Sequence, residues 1–278
     1  YLNDDQLIAV GHDITENKLK EKRLIQSNNL LLEQNKNITD SIQYAQRIQQ
    51  SILQSSEVLK SLFAESFLIY KPKDIVSGDY YWFYETPIYK YIAVVDCTGH
   101  GVPGAMMSML ANSLFKEVFI NKKITEPNEI LNALDVELNA AINKQEGATF
   151  YDGMDVSIIR IEKDTNELIF AGAFRSILVQ RGNEIIELKG DRYPIGFLSG
   201  IEKQFTNVSF LLNAEDSIYL YTDGFIDQFG GAKNKKLNKT NFKELLKTIA
   251  DMNCEEREAF LEYAFNNWKQ DNDQTDDI

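Results

Sequence analysis

A long segment without glycine or proline is the feature that most restricts the fold of this chain. Residues 16–62 contain neither residue type, so nothing in this segment would interrupt a helix. Within it, one apolar or small residue returns at every seventh position, at Leu24, Leu31, Ile38, Ala45 and Ile52. This spacing is typical of a coiled-coil seam and predicts a long helix over residues 16–62. The alternative interpretation is a single amphipathic helix that packs on its own domain.

The positions between these seam residues are mixed in character. Ser27, Gln34 and Ser41 are polar and only Ile48 is apolar, so pairing along the seam should be weaker than in a structural zipper. Ahead of the helix, Asp13 or Thr15 can cap its first turn. We therefore predict a helical linker that forms a parallel homodimer through marginal contacts.

The pattern changes after residue 62 to short apolar strands and separate helices. Strands are predicted at residues 67–70, 80–84, 91–95, 156–161, 167–171, 176–180, 184–188, 207–212 and 217–221. Helices are predicted at residues 103–119, 127–142, 241–250 and 255–268. Because the strands follow one another in hairpins and the helices come in separate blocks, the sequence indicates antiparallel sheets covered by helices, an α+β fold.

Charge and cysteine content restrict the possible functions. The formal net charge of -13 argues against a nucleic-acid partner, since phosphate backbones are bound by clustered lysine and arginine. Cys97 and Cys254 are the two cysteines and form no CxxC pair, so the sequence suggests neither a disulfide framework nor a zinc ribbon. No run of about 18 apolar residues is present to span a bilayer. We expect a cytoplasmic segment that makes no membrane contact.

Aspartates lie at the ends of strands, beside a glycine or a turn, in four separate places: Asp79, Asp96, Asp223 and Asp276. Each one alone is more often a turn residue. Together they supply what a hard divalent cation needs, which is several oxygen ligands held by rigid strand ends from separate segments. Because no histidine or cysteine cluster accompanies them, the pattern predicts Mn²⁺ or Mg²⁺.

Residues 96–104 form the most specific of these segments. A continuous apolar strand at residues 91–95 delivers Asp96 to the edge of the core, and Gly99 and Gly101 let the backbone turn tightly before a helix begins. A backbone carbonyl in such a turn can become a metal ligand. For His100, the simplest interpretation is a loop residue that fixes the turn by hydrogen bonding.

Five motifs in this order resemble the SpoIIE/RsbU branch of the PPM (protein phosphatase 2C-like) phosphatases. They are Ser-Gly-Asp-Tyr-Tyr at 77–81, Val-Val-Asp-Cys-Thr-Gly-His-Gly-Val-Pro-Gly-Ala at 94–105, Tyr-Asp-Gly-Met-Asp at 151–155, Tyr-Thr-Asp-Gly at 221–224 and Thr-Asp-Asp-Ile at 275–278. The resemblance implies an antiparallel β-sandwich flanked by helices over residues 63–278, continued by one more strand after Ile278. Residues 1–15 likewise resemble the C-terminal end of a PAS sensor domain.

The same resemblance implies two Mn²⁺ or Mg²⁺ ions at one edge of the sandwich. By position in the motifs, Asp79 would bind one ion, Asp96 would bridge both, Cys97 would contribute its backbone carbonyl, and Asp223 and Asp276 would complete the cluster. Two such ions activate water and neutralise phosphoryl oxygens, so Cys97 is not expected to be a nucleophile.

Two further residues have open interpretations. Asp155 begins a strand, and it is either an ordinary strand residue or a group beside the metals. Arg175 is either a surface arginine on a hairpin or a residue that binds the substrate phosphate.

The sequence therefore predicts a metal-dependent protein serine/threonine phosphatase that is regulated through its N-terminal helix. The resemblance implies a phosphorylated bacterial regulator as substrate, of the STAS-domain anti-anti-sigma type. The alternative is a catalytically silent scaffold of the same fold, and the completeness of the acidic positions argues against it. A purely structural coiled-coil protein would need apolar residues along the whole seam, and Ser27, Gln34 and Ser41 argue against that.

Overall fold

The computed structural model describes residues 13–142, 152–196 and 203–278. The chain divides into two units, residues 1–44 and residues 45–278. Nearly all of the predicted PAS-like segment, residues 1–12, lies outside the described residues. None of the helices in the described ranges is both long and apolar enough to cross a membrane.

The first unit contains most of helix α1 (Thr15–Ile52). The Asp13 carboxylate accepts a hydrogen bond of 2.9 Å from the Thr15 N–H and so caps the first turn. Every residue from 13 to 41 is exposed, including the seam residues Leu24, Leu31 and Ile38. Pairing of this apolar seam with a second chain stays a prediction.

The second unit begins with the last two turns of α1, which are anchored by Gln49. Its buried side-chain amide donates to the Ser77 carbonyl (2.6 Å) and to Ser108 Oγ (2.9 Å), and its Oε1 accepts from the Ser77 N–H (3.1 Å). Ser77 precedes Asp79 by two residues, and its Oγ accepts from the Asp79 N–H (3.0 Å). The end of the long helix is therefore joined by hydrogen bonds to the segment that carries Asp79.

The predicted helix over residues 16–62 is interrupted at residues 53–55. Helix α1 ends at Ile52, and a short helix α2 (Ser56–Leu62) follows. In between, the Gln54 side chain pairs with the backbone of Phe83, accepting from its N–H (2.6 Å) and donating to its carbonyl (2.8 Å). Leu59 and Leu62 then enter the core beside Tyr81 and Phe83. Tertiary contacts thus outweigh the helical preference of residues 53–55.

Two antiparallel sheets form the body of the second unit. The first comprises β1 (Asp79–Glu85), β2 (Tyr89–Cys97), β3 (Gly153–Glu162), β4 (Glu167–Ala173), β7 (Ile195–Gly196) and β8 (Val208–Leu211), in the order β1-β2-β3-β4-β8 with β7 paired to β3. The second has the order β6-β5-β9, with β5 (Ile177–Arg181), β6 (Glu184–Leu188) and β9 (Ser217–Tyr219). A small hairpin is formed by β10 (Phe229–Gly230) and β11 (Lys235–Lys236).

Helices cover the outer faces of both sheets. They are α3 (Gly101–Lys116), which continues into a π-helical turn (Glu117–Asn121), α4 (Pro127–Ile142), α5 (Gly224–Asp227), α6 (Asn238–Thr248) and α7 (Cys254–Lys269). Helices α3 and α4 pack on the first sheet, while α6 and α7 pack on the second. Phe170 of the first sheet and Val179 of the second meet between the two sheets. The predicted α+β fold with a β-sandwich flanked by helices is confirmed.

One predicted strand is absent from the described residues. Residues 67–70 have no strand pairing, although Phe67 and Ile69 pack at the edge of the core formed with α6 and α7. An alternating apolar pattern predicts that one face of a segment is buried. A strand also needs a neighbouring backbone for its hydrogen bonds, and residues 67–70 have none in the described part of the chain. In contrast, Tyr81 and Trp82, on the same strand as Asp79, are buried in the core.

Candidate active site

Three aspartates lie side by side across adjacent strands. Asp79 on β1 is directly opposite Asp96 on β2, and Asp96 is directly opposite Asp155 on β3. Residues that face each other in an antiparallel pair project to the same side of the sheet, so the three carboxylates share one face at its edge. Like charges in this arrangement repel, and a group of positive charge is needed to stabilise them. Asp155, left open by the sequence, is thus aligned with Asp96.

A second set of carboxylates approaches from the C-terminal part of the chain. Asp223 precedes α5, and Gly224 lies against the Asp277 backbone, where an added Cβ would be 1.9 Å from the Asp277 carbonyl oxygen. This close approach is possible only for glycine at position 224. It brings Asp223 beside Asp276, and both line the same cavity as Asp96 and Asp155.

Asp277 has a structural role that its neighbour Asp276 does not share. It is almost fully buried, and its two carboxylate oxygens accept hydrogen bonds from the Lys73 N–H (2.7 Å) and the Gly78 N–H (2.8 Å). Gly78 immediately precedes Asp79, so Asp277 holds the segment that presents Asp79. Sequence reasoning missed this role, because two adjacent aspartates give no sign of which one faces inward.

The loop after β2 is fixed by glycine contacts and by Thr98. A Cβ at Gly78 or Gly104 would collide with the Gly99 carbonyl oxygen, at 2.5 and 2.2 Å. Gly99 itself has a φ of +82°, which side chains disfavour. Thr98 Oγ1 exchanges hydrogen bonds of 3.0 Å with the backbone of Gly153. The loop is thereby held over β3, with Cys97 on the wall of the cavity.

The cavity at this edge has a volume of about 370 Å³. Its wall contains the carboxylates Asp96, Asp155, Asp223, Asp276 and Asp277, with Cys97, Thr98, Gly99, His100, Gly153, Met154, Arg175 and Pro194. His100 Nδ1 lies 2.7 Å from Asp74 Oδ2, and both side chains are about half exposed. This contact agrees with the interpretation of His100 as a residue that fixes the turn.

Burial and mutual repulsion raise the pKa values of Asp79, Asp96 and Asp155. Burial, followed by the charge of Asp96, raises the pKa of Asp79 well above its usual value. Burial raises the pKa of Asp96 to about 7, even though Arg175 opposes the change. Burial raises the pKa of Asp155 to about 6. Shifts of this kind are typical of a cluster built to hold a cation.

Arg175 lies among these carboxylates, and its side chain is only 14% exposed. Its Nη2 contacts Asp96 Oδ2 and donates to Asp223 Oδ2 at 2.9 Å, while its Nε is 3.2 Å from Asp155 Oδ2. The interpretation of Arg175 as a surface arginine is therefore wrong. The sequence could not reveal this position, since Arg175 follows β4 and its partners come from three other segments.

The side chains present fit a divalent cation. All the donors are carboxylate or carbonyl oxygens, as Mn²⁺ and Mg²⁺ require. Asp79 Oδ2 is buried and has no hydrogen-bond partner among the described residues. No three carboxylates in the described ranges are already arranged as a finished metal site. The guanidinium of Arg175 lies between Asp96, Asp155 and Asp223.

Burial also raises the pKa of the Cys97 thiol, and its side chain is 3% exposed. A buried neutral thiol is a poor nucleophile. The fold and the carboxylate cluster together define a PP2C-type phosphatase domain.

The comparison with known proteins identifies the family. The sequence profile described as Stage II sporulation protein E (SpoIIE) matches residues 89–278, and the chain belongs to this family. Its sequence is 25% identical over 195 residues to "Phosphoserine phosphatase RsbP" of Bacillus subtilis. The matched region covers 69% of this chain and 46% of that protein. The chain thus spans about half the length of this curated relative.

Two solved structures are similar to this chain. The SiaA-PP2C domain of Pseudomonas aeruginosa is 32% identical, with a TM-score of 0.80 over 88% of this chain and 95% of that one. The second structure contains the PP2C phosphatase domain of SpoIIE from Bacillus subtilis with a fragment of its regulatory domain. It is 20% identical, with a TM-score of 0.59 over 75% of this chain and 59% of that one. This similarity supports the fold.

Proposed function

We propose that this chain is a metal-dependent protein serine/threonine phosphatase with two Mn²⁺ or Mg²⁺ ions. The observation that carries the proposal is the row of Asp79, Asp96 and Asp155 across three strands, in which Asp96 and Asp155 line one cavity together with Asp223 and Asp276. The matched SpoIIE family and the relative named as a phosphoserine phosphatase support it. When bound, such ions supply an activated water molecule and neutralise charge on the phosphoryl group.

In this proposal, the protein's own groups bind and orient the ions. Asp79 would bind one ion, Asp96 would contribute to both, and Asp223, Asp276 and the Cys97 carbonyl would complete the ligands. Asp277 keeps Asp79 in place through the Gly78 N–H. The glycine contacts of the loop after β2 hold the Cys97 carbonyl at the cavity wall.

The test of this function is release of phosphate from an aryl phosphate and from a phosphoserine peptide. We expect hydrolysis of both to require Mn²⁺ or Mg²⁺ and to stop when a chelator removes the ion. A folded protein that binds Mn²⁺ but releases no phosphate from either compound would instead favour the catalytically silent scaffold.

For the substrate we propose a cytoplasmic phosphorylated regulator of the STAS-domain class. The support is the similarity to the RsbP and SpoIIE proteins. A phosphorylated STAS-domain protein should be hydrolysed with a higher kcat/KM than a peptide of the same phosphosite sequence, because docking of the folded protein adds binding free energy. Equal kcat/KM values for the two would contradict recognition of the domain.

For the regulation we propose a parallel homodimer formed through α1. The exposed seam residues Leu24, Leu31 and Ile38 support pairing, and the hydrogen bonds of Gln49 to Ser77 support transmission toward Asp79. Alternative helix arrangements that differ by a few kcal/mol would let an upstream signal shift the active population.

Replacing Ser27, Gln34 and Ser41 together by Leu should stabilise one helix arrangement. We expect dimers by light scattering at micromolar concentration, and activity that is fixed either high or low when the upstream signal changes. The matched control replaces Asn28, Asn35 and Asp40, which lie outside the seam, by Ala. A monomeric, fully active protein or an unchanged response of the Leu variant would show that α1 is only a tether.

A further inference from the structure

We propose that Arg175 is an internal counter-ion of the metal site, and that it competes with divalent cations for the same carboxylates. The proposal rests on the proposed metal-dependent function and extends it to the control of metal affinity. Its basis is the set of contacts that Arg175 makes with Asp96, Asp155 and Asp223.

Arg175 and a divalent cation need the same carboxylate oxygens. One nitrogen, Nη2, contacts both Asp96 Oδ2 and Asp223 Oδ2, which are oxygens of two proposed ligands. A carboxylate bound to a guanidinium in a largely buried site cannot also take a cation on that oxygen without rearrangement. The positive charge of Arg175 also repels a divalent ion at short range. Metal binding therefore requires the guanidinium to withdraw from Asp96 and Asp223.

The backbone places Arg175 in this position. Phe174 has a φ of +58°, which is strained for an aromatic residue, and its N–H donates to the Asp191 carbonyl (2.9 Å). The ring of Phe174 is 62% exposed, so the strain does not serve to bury it. The strained conformation instead directs the following side chain into the cavity, as strained residues at functional sites often do.

Two glycines make room for this turn. A Cβ at Gly172 or at Gly190 would lie 2.2 or 2.3 Å from the Arg175 carbonyl oxygen, closer than any real contact. Both positions must therefore remain glycine for the Arg175 backbone to lie where it does. The two glycines and the positive φ of Phe174 together fix the backbone of the residue that pairs with the cluster, which would be unnecessary for a solvent-facing arginine.

Removing Arg175 should raise the affinity of the site for Mn²⁺. Without Arg175, Mn²⁺ would meet carboxylates that are not already paired and would not be repelled by the guanidinium. We expect Arg175→Gln to bind Mn²⁺ about tenfold more tightly or better, because both changes favour the cation. Without added metal, the variant should unfold at a lower temperature, since the clustered carboxylates lose their counter-ion.

The experiment is Mn²⁺ titration by calorimetry at pH 8, with thermal unfolding measured with and without Mn²⁺. Arg181→Gln is the matched control, because Arg181 also pairs with a carboxylate, Asp216 (2.6 Å), but on β5 away from the cavity. The control should lose stability equally with and without Mn²⁺ and keep the wild-type Mn²⁺ affinity. In Arg175→Gln, the stabilisation by Mn²⁺ should exceed that of the wild type.

Arg175→Lys provides a second variant, since an ammonium group keeps the charge but cannot bridge three carboxylates in the same way. Its Mn²⁺ affinity should lie between those of the wild type and Arg175→Gln. If Arg175→Gln folds only with Mn²⁺ present, its affinity is measured by competition with a chelator.

Unchanged or weaker Mn²⁺ binding by Arg175→Gln would overturn the proposal and make Arg175 a supporting group of the metal site. That result would leave the phosphatase function standing. Failure of every variant and of the wild type to bind Mn²⁺ would instead contradict the metal-dependent function itself.

Discussion

Asp96→Asn should abolish most of the Mn²⁺-dependent turnover while the fold remains intact. The side chain lies between Asp79 and Asp155 in the sheet and contacts Arg175, so it is the central carboxylate of the cluster. Removing its charge weakens both proposed ions together. We expect a loss of roughly 10³-fold in kcat/KM, about 4 kcal/mol of transition-state stabilisation. Phosphate release at saturating Mn²⁺ measures this.

Although its activity falls, the metal-free Asp96→Asn protein should be more stable to unfolding than the wild type. The Asp96 pKa is raised by burial to about 7 in the folded protein, above the value of about 4 that applies in an unfolded chain. A carboxyl group with a raised pKa costs stability as the pH rises from about 4 to 7 and the group ionises. Asn cannot ionise, so metal-free Asp96→Asn should be more stable than the wild type above pH 7, and the difference should shrink toward pH 4.

Thermal unfolding without metal, measured from pH 4 to pH 8, checks the predicted gain in stability. A well-folded Asp96→Asn protein with wild-type Mn²⁺-dependent activity would contradict the assignment of Asp96. A variant that is less stable than the wild type at pH 8 would contradict the electrostatic account alone.

Asp277→Ala should have the largest effect on stability. The substitution leaves the partly buried N–H of Lys73 and the buried N–H of Gly78 without their acceptors. Unpaired buried donors cost about 1–3 kcal/mol each, so we expect a loss of roughly 2–4 kcal/mol. For a domain of this size, that lowers the melting temperature by about 5–15 °C. Activity should also fall, because the segment that holds Asp79 is released.

Asp276→Ala is the matched comparison for this prediction. Asp276 is adjacent in sequence and only partly buried, and its Oδ1 accepts one local hydrogen bond, from the Asp277 N–H (2.9 Å). Its loss should weaken Mn²⁺ binding and leave the metal-free melting temperature nearly unchanged. If both variants reduce metal-free stability equally, Asp277 has no special anchoring role.

The sequence predicted the elements with the strongest local signals. Helix α4 was predicted at residues 127–142, where it lies, because Pro127 suits a first turn and the apolar spacing is helical. The strand pairs β1–β2 and β3–β4 were also predicted, since each strand is a short apolar run bounded by turn residues. The predicted strand at residues 67–70 is absent from the described ranges, and the helix predicted over residues 16–62 is interrupted at residues 53–55. Both depend on distant backbone partners.

The sequence alone determined which residue types the site contains: aspartates at strand ends, glycines where the backbone must turn or approach closely, and the order of the motifs. These are local properties, set by the chemistry of each side chain and its immediate neighbours. Only the tertiary structure decided that Asp155 stands beside Asp96, that Asp277 faces inward and that Arg175 enters the cluster. These placements follow from strand register and from contacts between residues up to 204 positions apart, which no local pattern encodes.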